Sequence, residues 1–171
     1  MKARRLAPAL CLVGLSACAG VPRLFVPSDA LTAGEHYRLG SAYEAQGLPD
    51  DAARQYLAAV RLAPADPEFL MASGNLRFKR GDFAGAERDF LRARSLAPLH
   101  VGAENNLAMA YLAQDKRLPE AERLAREALG RTGPLRPCVL DTLSKIYERE
   151  GRLPEARAAA AESVAAARDT P

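Results

Sequence analysis

The feature that most constrains this chain is that it repeats itself every 34 residues. Gly40, Gly74 and Ala108 stand 34 apart, and Ala52 and Ala86, Ala59 and Ala93, Pro64 and Pro98, and Gly47 and Gly81 keep the same interval. Tyr43 and Tyr111 are two intervals apart. A fixed period of about 20–50 residues marks a stack of like units. No single unit can bury its own apolar face, and stacking builds one continuous core.

Within each period the residues read as two amphipathic helices and a short turn. The chain is rich in alanine and has no tryptophan, which favours helix over strand. The spacing predicts one helix near 33–46 and a second near 50–63. Between them "GLPD", residues 47–50, supplies the stop and restart. Gly47 suits a left-handed residue after a helix, and Asp50 is expected to cap the next one. Small residues at 40, 52 and 59 let the two backbones approach, and Tyr43 and Tyr56 fill the space between them. Pro64 and Pro98 close their units, because proline cannot continue a helix. Connections this short make neighbouring helices antiparallel. A long coiled coil is excluded by the recurrence of Gly and Pro.

The fragments "LGSAYEAQGLPDDAARQYLAAVRLAP" and "SGNLRFKRGDFAGAERDFLRARSLAP" resemble tetratricopeptide repeats. The first carries Leu39, Gly40, Tyr43, Ala52, Tyr56, Ala59 and Pro64 on the motif. The second keeps Gly74, Ala86, Phe90, Ala93 and Pro98 but has Arg77 at the tyrosine position, with Phe78 expected to fill part of that space. A third copy keeps Leu107, Ala108 and Tyr111 and carries one extra turn residue, so its alanine is Ala121, 35 after Ala86. A fourth keeps Leu143, Ser144, Tyr147, Gly151 and Ala156. The resemblance implies an all-α solenoid of about four repeats, near 33–66, 67–100, 101–135 and 137–168.

The residues point away from catalysis. The two histidines are far apart in sequence. His36 stands at the bulky aromatic position of the first repeat, which assigns it to packing, and His100 is expected in an exposed inter-repeat turn. No cluster of metal ligands, P-loop, dinucleotide fingerprint or nucleophile elbow is present in the sequence. The carboxylates Asp50 and Asp51 sit at a helix start. Cys138 reads as a partly buried small hydrophobe, with an intermolecular disulfide as the alternative. The expectation is therefore a protein without enzyme activity, cofactor, metal or small-molecule substrate.

What remains is recognition. In tetratricopeptide domains the first helix of each repeat lines the inside of the curve, where partners commonly bind. Carried over by position, that face comprises Tyr37, Ser41 and Glu44; Met71, Asn75, Phe78 and Lys79; Asn105, Met109 and Leu112; and Asp141, Lys145 and Glu148. Its centre of Met, Phe and Leu flanked by Asn suits a helix or an extended peptide more than an anion. Some family members clamp a peptide carboxylate with Lys, Asn and Arg. Asn75 matches one clamp position, but Met71 and Met109 stand where basic residues are needed, so that clamp is not expected.

The N-terminus has a different character. In "MKARRLAPALCLVGLSAC", Lys2, Arg4 and Arg5 precede an apolar run from Leu6 to Leu15 and then small residues, the layout of a secretory signal peptide. The run is shorter than the roughly 20 residues of a membrane-spanning helix. Leu15-Ser16-Ala17-Cys18 resembles the bacterial lipobox. That resemblance implies removal of residues 1–17, Cys11 among them, and a lipidated Cys18, with palmitate-like acyl chains, at the new N-terminus. Ala19 in place of aspartate implies sorting to the outer membrane. Residues 18–32 read as the lipidated cysteine and a tether, with Pro22 and Pro27 opposing helix; Leu24 to Val26 is expected to pack. The formal net charge is +3, and Lys2, Arg4 and Arg5 account for it, so the remaining chain is neutral. A neutral domain lacks the field that draws nucleic acid.

Together these readings describe a lipid-anchored scaffold or adaptor in the bacterial envelope, facing the periplasm and binding other envelope proteins through the concave face. Lipidated tetratricopeptide proteins of pilus and secretin assembly are the resemblance that points to a pathway. Regulation of peptidoglycan enzymes is the alternative, and a self-associating structural subunit is a third. The last helix leaves a mildly apolar surface around Ala160, Val164 and Ala167, suited to weak self-association. Each buried lipid CH₂ contributes about 0.8 kcal/mol to anchoring. Cys18→Ser is therefore expected to leave the fold intact and release the protein from membranes. Fractionation after a high-salt wash checks this, and a mutant that still sediments with membranes refutes the lipid anchor.

Overall fold

A computed structural model of the chain describes residues 31–168. The segment read as a signal peptide, Cys11, Cys18 and most of the tether lie outside the described residues. Among the described residues are eight α-helices and no strand. They are α1 (Ala33–Ala45), α2 (Pro49–Leu62), α3 (Pro67–Lys79), α4 (Phe83–Leu96), α5 (Val101–Ala113), α6 (Leu118–Leu129), α7 (Arg136–Arg149) and α8 (Leu153–Arg168). Each helix packs on its neighbour in sequence. Beyond those neighbours, α3 touches α5 and α5 touches α7, so first helices of successive pairs lie side by side. The fold is the all-helical repeat solenoid that the period predicts. None of these helices is long and apolar enough to cross a membrane.

Close approach within a pair depends on the residue at the glycine position of the first helix. A Cβ on Gly40 would lie 2.7 Å from the ring of Tyr56. One on Gly74 would lie 2.5 Å from Cε1 of Phe90. Both aromatic rings are buried, as are Ala52, Ala59, Ala86 and Ala93 around them. In the later pairs the rule relaxes on both sides at once. Ala108 and Ser144 occupy the glycine position, while Ala125 and Ala160 replace the ring.

The turns share one hydrogen bond. The N–H of Leu48 returns to the carbonyl of Tyr43 (2.9 Å), that of Asp82 to Arg77 (2.9 Å), that of Lys116 to Tyr111 (3.0 Å) and that of Arg152 to Tyr147 (2.8 Å). The residue before each donor takes a left-handed backbone: Gly47, Gly81, Asp115 and Gly151. The extra residue of the third copy is Arg117. It follows the closing bond and adopts φ 52°, a conformation that costs a non-glycine residue about 1–2 kcal/mol. Its guanidinium lies 5.3 Å from the centre of the Tyr111 ring and donates to that phenol at 3.1 Å.

Three sequence expectations need correction. Asp50 does not cap α2: the cap position is Leu48, without a side-chain bond, and Pro49 opens the helix. One residue further in, Asp50 pairs with Arg80 at 2.6 Å across the repeat boundary. His100 is half-buried and caps α5, its Nδ1 accepting from the Ala103 N–H at 3.0 Å. Phe78 does not fill the space left at Arg77; it packs edge-on to Phe83, ring centres 5.1 Å apart. Arg77 instead pairs with Asp82 and Asp89, each at 3.0 Å. His36 is buried, with Nδ1 2.7 Å from Gln55 Oε1.

Gly74→Leu is expected to destabilise the domain by about 1–3 kcal/mol, because Phe90 leaves no room for a side chain. Arg80→Ala removes an exposed ion pair with Asp50 and a long, exposed hydrogen bond to the Pro49 carbonyl, and is expected to cost at most about 1 kcal/mol. Thermal melts of both variants check this, and equal melting temperatures refute the close contact at residue 74.

Candidate interaction groove

The first helices α1, α3, α5 and α7 carry the residues predicted to bind a partner. On α1, Tyr37 is half-buried between Tyr56 and Phe69, with ring centres 6.0 and 5.4 Å away. Glu44 accepts from the Tyr56 hydroxyl at 2.9 Å and from Lys79 Nζ of α3 at 2.6 Å. Burial pushes the Glu44 carboxyl upward, but the Lys79 and Tyr56 hydrogen bonds outweigh it and hold the group below its ordinary 4.5. The Tyr56 phenol is pushed up, first by burial and then by its bond to Glu44. Thus one carboxylate ties both helices of the first repeat to the second.

On α3 and α5 the chemistry turns to amides and thioethers. Met71 is only 7% exposed and belongs to the core, so it forms the floor of the face. Asn106 Nδ2 donates to Asn75 Oδ1 at 2.7 Å, bridging the second and third repeats. Asn105 Nδ2 points to Asn106 Oδ1 (3.5 Å) and to Met109 Sδ (3.7 Å). Leu112 packs against the core. On α7, Asp141 pairs with Lys145 at 2.6 Å, and both are exposed, as is Glu148.

Three clefts connect these side chains. The first, about 220 Å³, lies among Tyr37, Glu44, Glu68, Met71, Asn75 and Lys79. The second, about 210 Å³, lies among Asn75, Phe78, Lys79, Phe90, Asn106 and Met109. The third, about 310 Å³, opens between α5 and α7 and includes Asn105, Asn106, Met109, Leu135, Cys138, Val139 and Asp141. Successive clefts share residues, Asn75 and Lys79 between the first two and Asn106 and Met109 between the last two. The result is one groove running across the repeats. Ser41, Leu112, Lys145 and Glu148 line none of these three clefts.

Sequence reasoning missed Asn106, Leu135 and Val139. It followed a single stripe along each helix. A helix wedged between two neighbours also presents the adjacent stripe, and Asn106 lies on the one turned toward α3. Cys138 is exposed at the start of α7, which corrects its assignment as a partly buried hydrophobe. A cleft of about 360 Å³ among Tyr56, Leu57, Leu76, Arg77 and Arg80 opens at the position where arginine replaces tyrosine. It shares Tyr56 with the first groove cleft and none of the predicted groove residues. Among the described residues, no group of three or more His, Cys, Asp or Glu is placed to hold a metal ion.

The tetratricopeptide repeat family model matches residues 37–98 and 71–137. The chain belongs to the tetratricopeptide repeat family. Among solved structures it is similar to MamA, with a TM-score of 0.69 at 19% identity over 80% of this chain and 79% of that one. A second MamA structure, from MSR-1, gives a TM-score of 0.68 at 19% identity over 84% and 82%. A third, from AMB-1, gives 0.64 at 21% identity over 80% and 73%. At these identities the likeness is one of fold. No curated protein matches the sequence. As a tetratricopeptide protein the chain is consistent with protein–protein interaction, and the groove is the surface on which its first helices converge.

The Glu44 bonds carry a pH signature. A carboxyl held below its ordinary value contributes stability that is present above that value and is lost as pH falls through the depressed one. Glu44→Gln is therefore expected to lower the melting temperature at about pH 7 and to lose that deficit by about pH 3. A deficit that is the same at both pH values refutes the role of the Glu44 charge.

Proposed function

We propose that this chain is a membrane-anchored scaffold of the bacterial envelope that holds an extended or helical segment of another envelope protein in the groove across α1, α3, α5 and α7. The continuity of the three clefts carries the reading. They span three repeat boundaries, with an amide string at the centre and the Lys79–Glu44 and Asp141–Lys145 ion pairs beside it. Such a surface recognises a polypeptide by shape and backbone hydrogen bonds. The Leu15-Ser16-Ala17-Cys18 sequence supports a lipid anchor, and Ala19 supports the outer membrane facing the periplasm. Assembly of a pilus or secretin is the pathway we favour, with control of peptidoglycan enzymes as the alternative partner class.

A self-associating subunit is a second reading, and α8 favours it. Only Ala156 and Ala159 of that helix are buried, while Val164 is 55% exposed with Ala160 and Ala167 exposed beside it. Sedimentation of the soluble domain over a concentration series checks it, and Val164→Glu is expected to weaken any dimer.

The groove is tested by photo-crosslinkers placed singly at Lys79, Asp141 and, as a reference on the opposite helices, Arg88 in cells. Crosslinks to one partner are expected at Lys79 and Asp141 and not at Arg88. Adding Phe78→Glu is expected to reduce them by about tenfold or more, the effect of losing a hot-spot side chain. Equal crosslinking at Arg88, or indifference to Phe78→Glu, refutes the groove.

A further inference from the structure

Antiparallel pairing puts the start of every first helix and the end of every second helix on one edge of the solenoid. The described chain enters on that edge, at Leu31 before α1. The same edge carries a row of exposed leucines. Leu62 (54% exposed) and Leu96 end α2 and α4, Leu99 (75%) precedes α5, and Leu135 precedes α7. Leu62 and Leu96 stand one 34-residue period apart, so the feature is repeated with the fold. Among the described residues, the exposed leucines of the opposite edge are Leu48 and Leu153, where α2 and α8 begin.

Leucines gathered along one edge, unlike leucines scattered singly, mark a surface that meets something apolar. Leu62, Leu96 and Leu99 line none of the four clefts described above. They project from separate turns. A protein partner needs a close-packed, complementary surface. A lipid layer does not, because it is fluid and closes around separate projections. The charges agree. Arg61 and Arg94, in the last turns of α2 and α4, form no ion pair among the described residues. The carboxylates at the starts of α1, α3 and α5 are occupied: Glu35 accepts from Thr32, Asp66 caps α3, Glu68 faces His100 at 3.3 Å and Glu104 holds Arg131. Unpaired guanidiniums beside exposed leucines suit a membrane interface, with apolar side chains below the headgroups and cations at the level of the phosphates.

We propose that this edge lies on a lipid bilayer: Leu62, Leu96 and Leu99 dip into the boundary between headgroups and acyl chains, and Arg61 and Arg94 meet the phosphates above them. The length of the tether argues for lipid as the occupant. From Cys18 to Leu31 is 31 − 18 = 13 residues. At about 3.3–3.6 Å each, they cannot hold Leu31 more than about 45 Å from an anchored Cys18. The choice of occupant rests on the lipid anchor proposed above, and the proposal adds to it which edge of the domain faces the lipid.

The chain has no tryptophan, so a single introduced indole reports its own surroundings. The full chain, extracted from membranes and carrying Leu99→Trp or, on the opposite edge, Leu153→Trp, is reconstituted into vesicles of phosphatidylethanolamine and phosphatidylglycerol. Parallel vesicles have brominated acyl chains, which quench an indole in contact with them. Both positions are exposed, where substitutions are near neutral for stability.

Side chains of an interfacial surface insert about 5–10 Å, so Leu99→Trp is expected to shift to the blue and to lose about half or more of its emission to bromine. Leu153→Trp is expected to do neither. Adding Leu62→Ser and Leu96→Ser, or omitting phosphatidylglycerol, is expected to reduce the Leu99→Trp quenching. No quenching at Leu99→Trp, equal quenching at the two positions, or quenching indifferent to Leu62→Ser and Leu96→Ser overturns the edge. A blue shift without bromine quenching puts a protein surface there and also overturns it. Quenching unchanged without phosphatidylglycerol overturns the role of Arg61 and Arg94. Absent quenching while Cys18→Ser still releases the chain from membranes fails this edge alone. Quenching that is kept while Cys18→Ser leaves the chain on membranes fails the anchor alone.

Discussion

Everything in this domain depends on how closely the two helices of a repeat approach. At Gly40 and Gly74 the missing side chain admits the flat ring of Tyr56 or Phe90 against the backbone of the first helix. Alanines at 52, 59, 86 and 93 let the rest of the pair close around the ring. That contact sets where each second helix lies, and the next first helix packs onto it. A pair held further apart would misplace every unit after it. Where the ring is absent, at Ala125 and Ala160, the opposing position grows to alanine or serine.

Repeats are joined by a second recurring device at the end of the first helix. Arg80 Nη1 lies 3.4 Å from the Pro49 carbonyl, and Gln114 Nε2 lies 3.4 Å from the Phe83 carbonyl, one period further on. Arg149, one repeat later still, pairs with Asp115 at 2.8 Å. Each side chain reaches back to the turn or the start of the second helix in the preceding unit. Lys116 with Glu87 (2.6 Å) and Arg152 with Glu122 (2.9 Å) add charged ties between repeats, and Arg131 with Glu104 (2.5 Å) adds one within the third repeat. Of these, the Glu104 and Glu87 pairs count for most. Their carboxylates are nearly removed from water, whereas exposed pairs such as Arg149–Asp115 contribute little.

These ties bear on function because they consume the charge along the groove. Lys79 is held by Glu44 and Lys145 by Asp141. What is left to meet a partner is apolar surface, amide and the exposed Glu68 carboxylate. The Asn75–Asn106 bridge crosses the boundary between the second and third repeats. Any shift of one repeat against the next would therefore alter the hydrogen bonds a partner could make, so groove geometry and solenoid packing are coupled.

The period, the helix pairs, the turn glycines and the tight contacts were legible in the sequence, because each is a local demand repeated at fixed spacing. Even the extra residue of the third turn could be located from Ala121. The sequence also placed Asn75, Phe78, Lys79 and Met109 on one face, since helical periodicity alone assigns a stripe. Tertiary structure decided what those side chains do. That Met71 is floor, that Asp50 serves Arg80 in place of a cap, that His100 caps α5, and that Asn106 joins Asn75 all depend on the neighbouring helix. The third cleft depends on α5 and α7 lying side by side, and residues 105 and 138 acquire a common environment only then. Periodicity determines which way a residue faces on its own helix, and only packing determines what stands opposite.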